Sequence, residues 1–186
     1  GDVYKRQISV DVTDANGCVV TANDVISEPS VLNSAIISSA DVSCHSLCNG
    51  SASVNVSGGN PGYTYLWNDP MAQTNALANN LCAGNYIVDV TDANGCTTSA
   101  TITINEPAPR QSSITGVDVS CHNGCNGSAD LTVFGGTPGY TFNWNDPNNS
   151  SSEDISALCA GTYAVTISDA NGCIQSEYIN INQPCL

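Results

Sequence analysis

The chain has 186 residues, with 17 acidic side chains against 3 basic ones and a formal net charge of −14. Nucleic-acid binding needs clustered Lys and Arg to neutralise phosphates, and three basic residues do not make such a patch. No apolar run approaches the roughly 20 residues of a membrane-spanning helix, so membrane insertion is not expected. Ten cysteines in a chain with only 11% charged residues point instead to disulfides and an oxidising compartment.

At the start, Asp2-Val3-Tyr4-Lys5-Arg6-Gln7 reads as the translation of a transposon end used in preparing sequencing libraries. Residues 1–7 are therefore set aside as a sequencing or cloning artefact, and with them two of the three basic residues. Asp14-Ala15-Asn16-Gly17-Cys18 follows, and the same five residues return at Asp92–Cys96 and Asp169–Cys173. Residues 31–107 align with 108–184 without a gap, and 38 of those 77 positions are identical. Self-similarity at this level marks a repeat architecture. Residues 8–29 are then expected to be the C-terminal remnant of a truncated repeat, followed by complete repeats at 31–107 and 108–184.

Within each repeat the pattern is one of short strands separated by turns. An opening strand is expected around Ile36 to Val42. Ala52, Val54 and Val56 alternate with polar residues, which is the period of a half-buried strand, and Gly58-Gly59-Asn60-Pro61-Gly62 breaks it. Tyr63, Tyr65 and Trp67 share one face of the next strand, which ends at Asn68-Asp69-Pro70. A weaker strand near 73–80 precedes Cys82-Ala83-Gly84, and Tyr86, Val88 and Val90 alternate beyond it. Asp92-Ala93-Asn94-Gly95 is a hairpin signal, because Asn-Gly accepts the positive φ angles of tight turns. Ile102 and Ile104 lie on the returning strand. Six or seven strands with no helical period predict an all-β fold of tandem immunoglobulin-like β-sandwiches. Tyr86 stands where such sandwiches carry a tyrosine corner, and Trp67 and Trp144 where they bury a core tryptophan.

Four cysteines per repeat allow three pairings. If Asp92–Cys96 is a tight turn, Cys82 lies about 30 Å down the strand at roughly 3.3 Å per residue, which is too far for a bridge to Cys96. Cys48 and Cys82 are expected at one pole and therefore bonded, leaving Cys44 for Cys96. The second repeat would pair Cys125 with Cys159 and Cys121 with Cys173. The Cys96 hairpin belongs at the opposite pole, so this last pairing requires Cys44 to lie short of its loop tip; otherwise Cys44 reaches Cys173 of the next repeat. Cys18 has no partner in its remnant, and Cys185 has no counterpart in the first repeat.

Other chemistries leave weaker traces. Cys44-His45-x-x-Cys48 and Cys121-His122-x-x-Cys125, with Cys82 or Cys159, offer zinc donors, although adjacent Cys and His do not readily face one metal. Asp92 with Asn94, and Asp169 with Asn171, offer hard oxygen ligands for calcium, but Asp-Ala-Asn-Gly is equally explained as turn chemistry. Each repeat holds a single histidine and neither paired carboxylates nor a phosphate-binding glycine loop, so no enzyme is expected and no cofactor is assigned.

Val42-Ser43-Cys44, Asn49-Gly50-Ser51-Ala52, Gly58-Gly59-Asn60-Pro61-Gly62-Tyr63-Thr64-Tyr65, Leu81-Cys82-Ala83-Gly84-Asn85-Tyr86 and Asp92-Ala93-Asn94-Gly95-Cys96 together resemble the SprB repeat, and residues 119–173 match it equally well. The family's usual Gly-Thr-Pro-Pro-Tyr is here Gly-Asn-Pro-Gly-Tyr and Gly-Thr-Pro-Gly-Tyr. The resemblance implies a giant, secreted, surface-displayed protein of gliding bacteria, in which many repeats form a filament that contacts the substratum. It supplies no catalytic residues. The expected function is a non-catalytic structural and adhesive module of a cell-surface adhesin, its partners being neighbouring repeats and a surface polysaccharide or the substratum. The alternatives are a carbohydrate-binding module, with Tyr65 and Phe142 as stacking platforms, and an accessory domain of a secreted multidomain protein.

Overall fold

The computed structural model describes residues 5–185, and every regular element among them is a β-strand. Residues 1–4 of the segment set aside above lie outside the described residues. Lys5, Arg6 and Gln7 extend the first strand opposite Ser27, Ile26 and Val25. This strand, β1 (Lys5–Thr13), pairs only with β2 (Val19–Ser27), as a two-stranded antiparallel sheet.

Two sets of six strands follow. The first is β3 (Asn33–Ala40), β4 (Gly50–Ser57), β5 (Thr64–Trp67), β6 (Leu77–Leu81), β7 (Gly84–Thr91) and β8 (Thr97–Ile104). The second is β9 (Gln111–Val117), β10 (Gly127–Phe134), β11 (Thr141–Trp144), β12 (Ile155–Leu158), β13 (Gly161–Ser168) and β14 (Ile174–Ile181). Each set makes two three-stranded sheets, ordered β3-β4-β6 and β5-β7-β8 in the first, β9-β10-β12 and β11-β13-β14 in the second. Strands one, two and four thus share one sheet, and strands three, five and six the other. That is the immunoglobulin partition with its short fourth strand omitted.

Alternation decides which side chains meet. Along β7, Tyr86, Val88 and Val90 are buried while Ile87 and Asp89 face out. In the second repeat, Leu131, Ile155 and Leu158 from one sheet pack with Trp144, Val165, Ile167 and Ile181 from the other in a single core. Both tryptophans are 1% exposed. Burial would orphan their indole N–H groups, and each donates to a loop carbonyl, Trp67 to Asn75 at 2.9 Å and Trp144 to Ser152 at 3.0 Å. Tyr163, the counterpart of Tyr86, donates its hydroxyl to the Cys159 carbonyl.

The chain forms two compact units that do not divide at Pro107. One comprises the chain up to Ala40 with Ser51–Asn79 and Gly84–Thr103; the other comprises Asp41–Gly50, Asn80–Ala83 and the chain from Ile104 onward. The loop before β4 and the turn between β6 and β7 therefore belong to the same unit as the whole second repeat.

Candidate functional site

The site is built on the loop 41–50, within the second unit. Ser43 N–H donates to Asn49 Oδ1 at 3.0 Å and the Asn49 amide returns a bond to Ser43 Oγ at 2.7 Å, closing the loop on itself. The Leu47 N–H reaches the Cys44 carbonyl, and Ser46 turns through a left-handed conformation with φ 63°. Its N–H donates to Glu106 Oε2 at 2.7 Å, and the same oxygen faces His45 Nδ1 at 3.2 Å.

This geometry presents Cys44 to Cys173, to which it is bonded, with the two Cα atoms 5.9 Å apart. Asn171 Nδ2 donates to the Ser43 carbonyl at 2.8 Å beside the bridge. Cys48 is bonded to Cys82 and Cys125 to Cys159. The expected pairs Cys44–Cys96 and Cys121–Cys173 do not form, and Cys96 and Cys121 are exposed free thiols, as are Cys18 and Cys185. The reason is axial position. The Cys48–Cys82 bond fixes this loop at the start of β7, whereas Cys96 follows the far end of that strand, about 25 Å away at 3.3 Å per residue.

Beside the Cys44–Cys173 bridge lies an open cleft of about 520 Å³, lined among others by His45, Pro107, Arg110 and Asp169. Its one cation is already engaged: Arg110 donates to the Cys173 carbonyl at 2.6 Å and to Gln175 Oε1 at 3.2 Å. Cys44 and Cys48, which flank His45, are both in disulfides, so the first repeat's zinc donors are spent on bridges, whereas in the second repeat Cys121, beside His122, is a free thiol.

The carboxylates proposed as calcium ligands each accept three backbone N–H groups. Asp92 Oδ1 accepts from Asn94 and Cys96, and Oδ2 from Asn60, all at 2.9 Å. Asp169 accepts from Asn171, Cys173 and Thr137 in the same way. Asn94 Oδ1 accepts from the Asn60 amide, and the Asn171 amide donates to Thr137 Oγ1. This donor pattern is that of a turn built around an anion. For Asp92 the Asn60 N–H is the largest influence, and with the Cys96 and Asn94 bonds it outweighs burial and holds the carboxyl below its ordinary value. Burial is the largest influence on Asp169 and opposes ionisation; bonds from Cys173, Thr137 and Asn171, with the Arg110 charge, outweigh it. No group of three or more His, Cys, Asp and Glu converges among the described residues.

Tyr65 is half-buried opposite Val90, and Phe142 packs against the second core. Each lies two residues before a core tryptophan on the same strand, and Tyr65 also lines a shallow open cleft with Leu66, Asp89 and Thr91. Sequence reasoning overlooked Asp69 and Asp146, which organise the turns after β5 and β11. Asp69 accepts from Met71 N, Gln73 N and Gln73 Nε2, and Asp146 from Asn148 N, Ser150 N and Ser150 Oγ. Asn-Asp-Pro at both places was the available signal.

Among solved structures, the chain is similar to the N-terminal eight Ig domains of Down Syndrome Cell Adhesion Molecule, at 12% identity and a TM-score of 0.45, over 96% of this chain and 31% of that one. It spans about a third of the length of that eight-domain chain. It is also similar to the amphioxus IgVJ-C2 molecule (16% identity, TM-score 0.32, 67% of this chain and 91% of that one) and to murine CEACAM1b (16%, 0.31, 83% and 100%). The fold rests on the strand pairing above rather than on likenesses this distant. Comparison with curated proteins gives no match. The SprB repeat matches twice, at residues 36–72 and 113–149, the same stretch of each 77-residue unit. Each match falls within one immunoglobulin-like set of six strands.

Proposed function

We propose that this chain is a non-catalytic structural and adhesive segment of a large, secreted, surface-displayed bacterial adhesin filament. One observation carries the reading: the turn aspartates, tryptophans, turn tyrosines and one cysteine pair shared by the two repeats are consumed in holding each repeat together. Asp92 and Asp169 fill turns, Trp67 and Trp144 fill cores, and Tyr63 and Tyr140 donate to the carbonyls of Gly58 and Gly135. Cys48–Cys82 and Cys125–Cys159 cross-link the poles. An enzyme or lectin would spend part of that shared set on an open site. Disulfides suit an extracellular setting, and a net charge of −14 would keep neighbouring filaments apart.

The test is antibody labelling of intact cells that produce the protein, together with adhesion of those cells to glass and to polysaccharide-coated surfaces. Surface labelling, and adhesion blocked by the purified chain or the antibody, are expected. Recovery of the protein only from the cytosol would overturn the proposal. Saturable binding on a glycan array, lost in Tyr65→Ala, would replace it with the carbohydrate-binding alternative.

A further inference from the structure

The Cys44–Cys173 bond spans 129 residues and joins unlike positions of the repeat: the loop cysteine of one and the hairpin cysteine of the next. Stepping each partner by the 77-residue period gives the two repeat cysteines left free. Cys121 is the loop cysteine of the second repeat, and Cys96 is the hairpin cysteine of the first.

We propose that Cys121 and Cys96 are the two open half-joints of a disulfide ladder, through which further copies of this repeat are stapled: Cys121 to the hairpin cysteine of a following repeat, Cys96 to the loop cysteine of a preceding one. The Cys121 loop is already in the conformation of the bonded one. Ser120 N–H donates to Asn126 Oδ1 at 3.0 Å and Asn126 Nδ2 to Ser120 Oγ at 2.8 Å, the same two bonds that close the Cys44 loop. Asn123 repeats the left-handed turn of Ser46, with φ 60°, and donates its N–H to Gln183 where Ser46 donates to Glu106. The hairpin half is equally prepared. Cys96 N–H and Cys173 N–H each donate to the turn aspartate at 2.9 Å, so the free and the bonded cysteine start from the same backbone. In the closed joint Asn171 donates to the Ser43 carbonyl; Asn94 and the Ser120 carbonyl are the matching groups of the open ones.

Closing a joint removes two hydrogens, one from each thiol. One thiolate attacks a disulfide donor such as glutathione disulfide and releases one glutathione thiol; the second thiolate then attacks the protein sulfur of the mixed disulfide and displaces the second glutathione, so the two electrons leave on two glutathione thiols.

The test appends one further copy of residues 108–184 after Pro184 of the full chain, in place of Cys185 and Leu186. The product is oxidised in a glutathione buffer and mapped without reduction. The expected result is a peptide joining Cys121 to the added copy's Cys173, with Cys44–Cys173 retained and three alkylatable thiols (Cys18, Cys96 and the added copy's Cys121) where an open joint would leave five. In the same chain bearing Cys121→Ser, the added copy's Cys173 becomes alkylatable while Cys44–Cys173 persists. Recovery of Cys121 as a free thiol, its bonding to any other cysteine, or absence of Cys44–Cys173 itself would overturn the ladder.

Discussion

The carboxylate of Asp92, in the turn between β7 and β8, accepts the backbone N–H of Asn60, in the glycine-rich turn after β4, at 2.9 Å. One anion thus closes its own hairpin and ties it to a turn 32 residues earlier. Asp169 and Thr137 repeat the arrangement.

Acid should dissolve these turns. Asp69, Asp92, Asp146 and Asp169 all ionise below the ordinary carboxyl value of 3.8. In Asp69 and Asp146 burial is the largest influence and opposes ionisation, but hydrogen bonds led by Gln73 and Ser150 outweigh it. A depressed folded value means that stabilisation is complete above the unfolded value and is lost as pH falls through the folded one. The melting temperature should therefore hold steady down to about pH 4 with respect to these groups and fall below it. Circular dichroism melts from pH 6 to pH 2 check this, and the Asp69→Asn/Asp146→Asn variant should show a shallower acid decline from a lower starting point.

Two glycines of one turn system should differ in sensitivity. Gly95 has φ +84° with open space where a Cβ would lie, so Gly95→Ala meets only the backbone penalty, about 1 kcal/mol. Gly59 has φ +62°, and its Cβ would stand 2.8 Å from Asp92 Oδ2 and 2.9 Å from Leu32 Cδ1. Gly59→Ala should cost roughly twice as much or more, because it also pushes away the carboxylate that holds Asn60. Urea midpoints of the two variants give the comparison.

Much of this architecture is legible in the sequence, because the period of two along Tyr86, Val88 and Val90 and the Asn-Gly turns are local signals. The same period already placed Tyr65 on the face of Trp67, in register with Val90. Cys44 was harder. Its partner depends on where a loop tip falls relative to the next repeat, and no single-repeat pattern encodes that. Asp69 and Asp146 escaped notice because their partners are mostly backbone N–H groups, which any sequence supplies.

The intra-repeat bridges should contribute measurably. Cys48–Cys82 closes a loop with a sequence separation of 34, for which chain entropy predicts about 4 kcal/mol. Cys48→Ala/Cys82→Ala should lower the urea midpoint by a corresponding amount, whereas Cys96→Ala, which removes an exposed free thiol, should leave it unchanged. Equal midpoints for the two variants would show that burial alone holds this pole.

Backbone pairing and burial separate cleanly in the first hairpin. β1 and β2 pair through nine residues in unbroken register, much as β13 and β14 pair through eight. Cover differs: Val88 and Val90 of β7 are fully buried, while their counterparts Val10 and Val12 in β1 are 60% and 63% exposed. An isolated two-stranded hairpin is marginal in water, and amides protected only by such pairing open with little free energy. Hydrogen exchange followed by mass spectrometry should therefore show β1 and β2 exchanging orders of magnitude faster than β7 and β13. Comparable protection in all four strands would mean that the hairpin is stabilised without the burial that protects its counterparts.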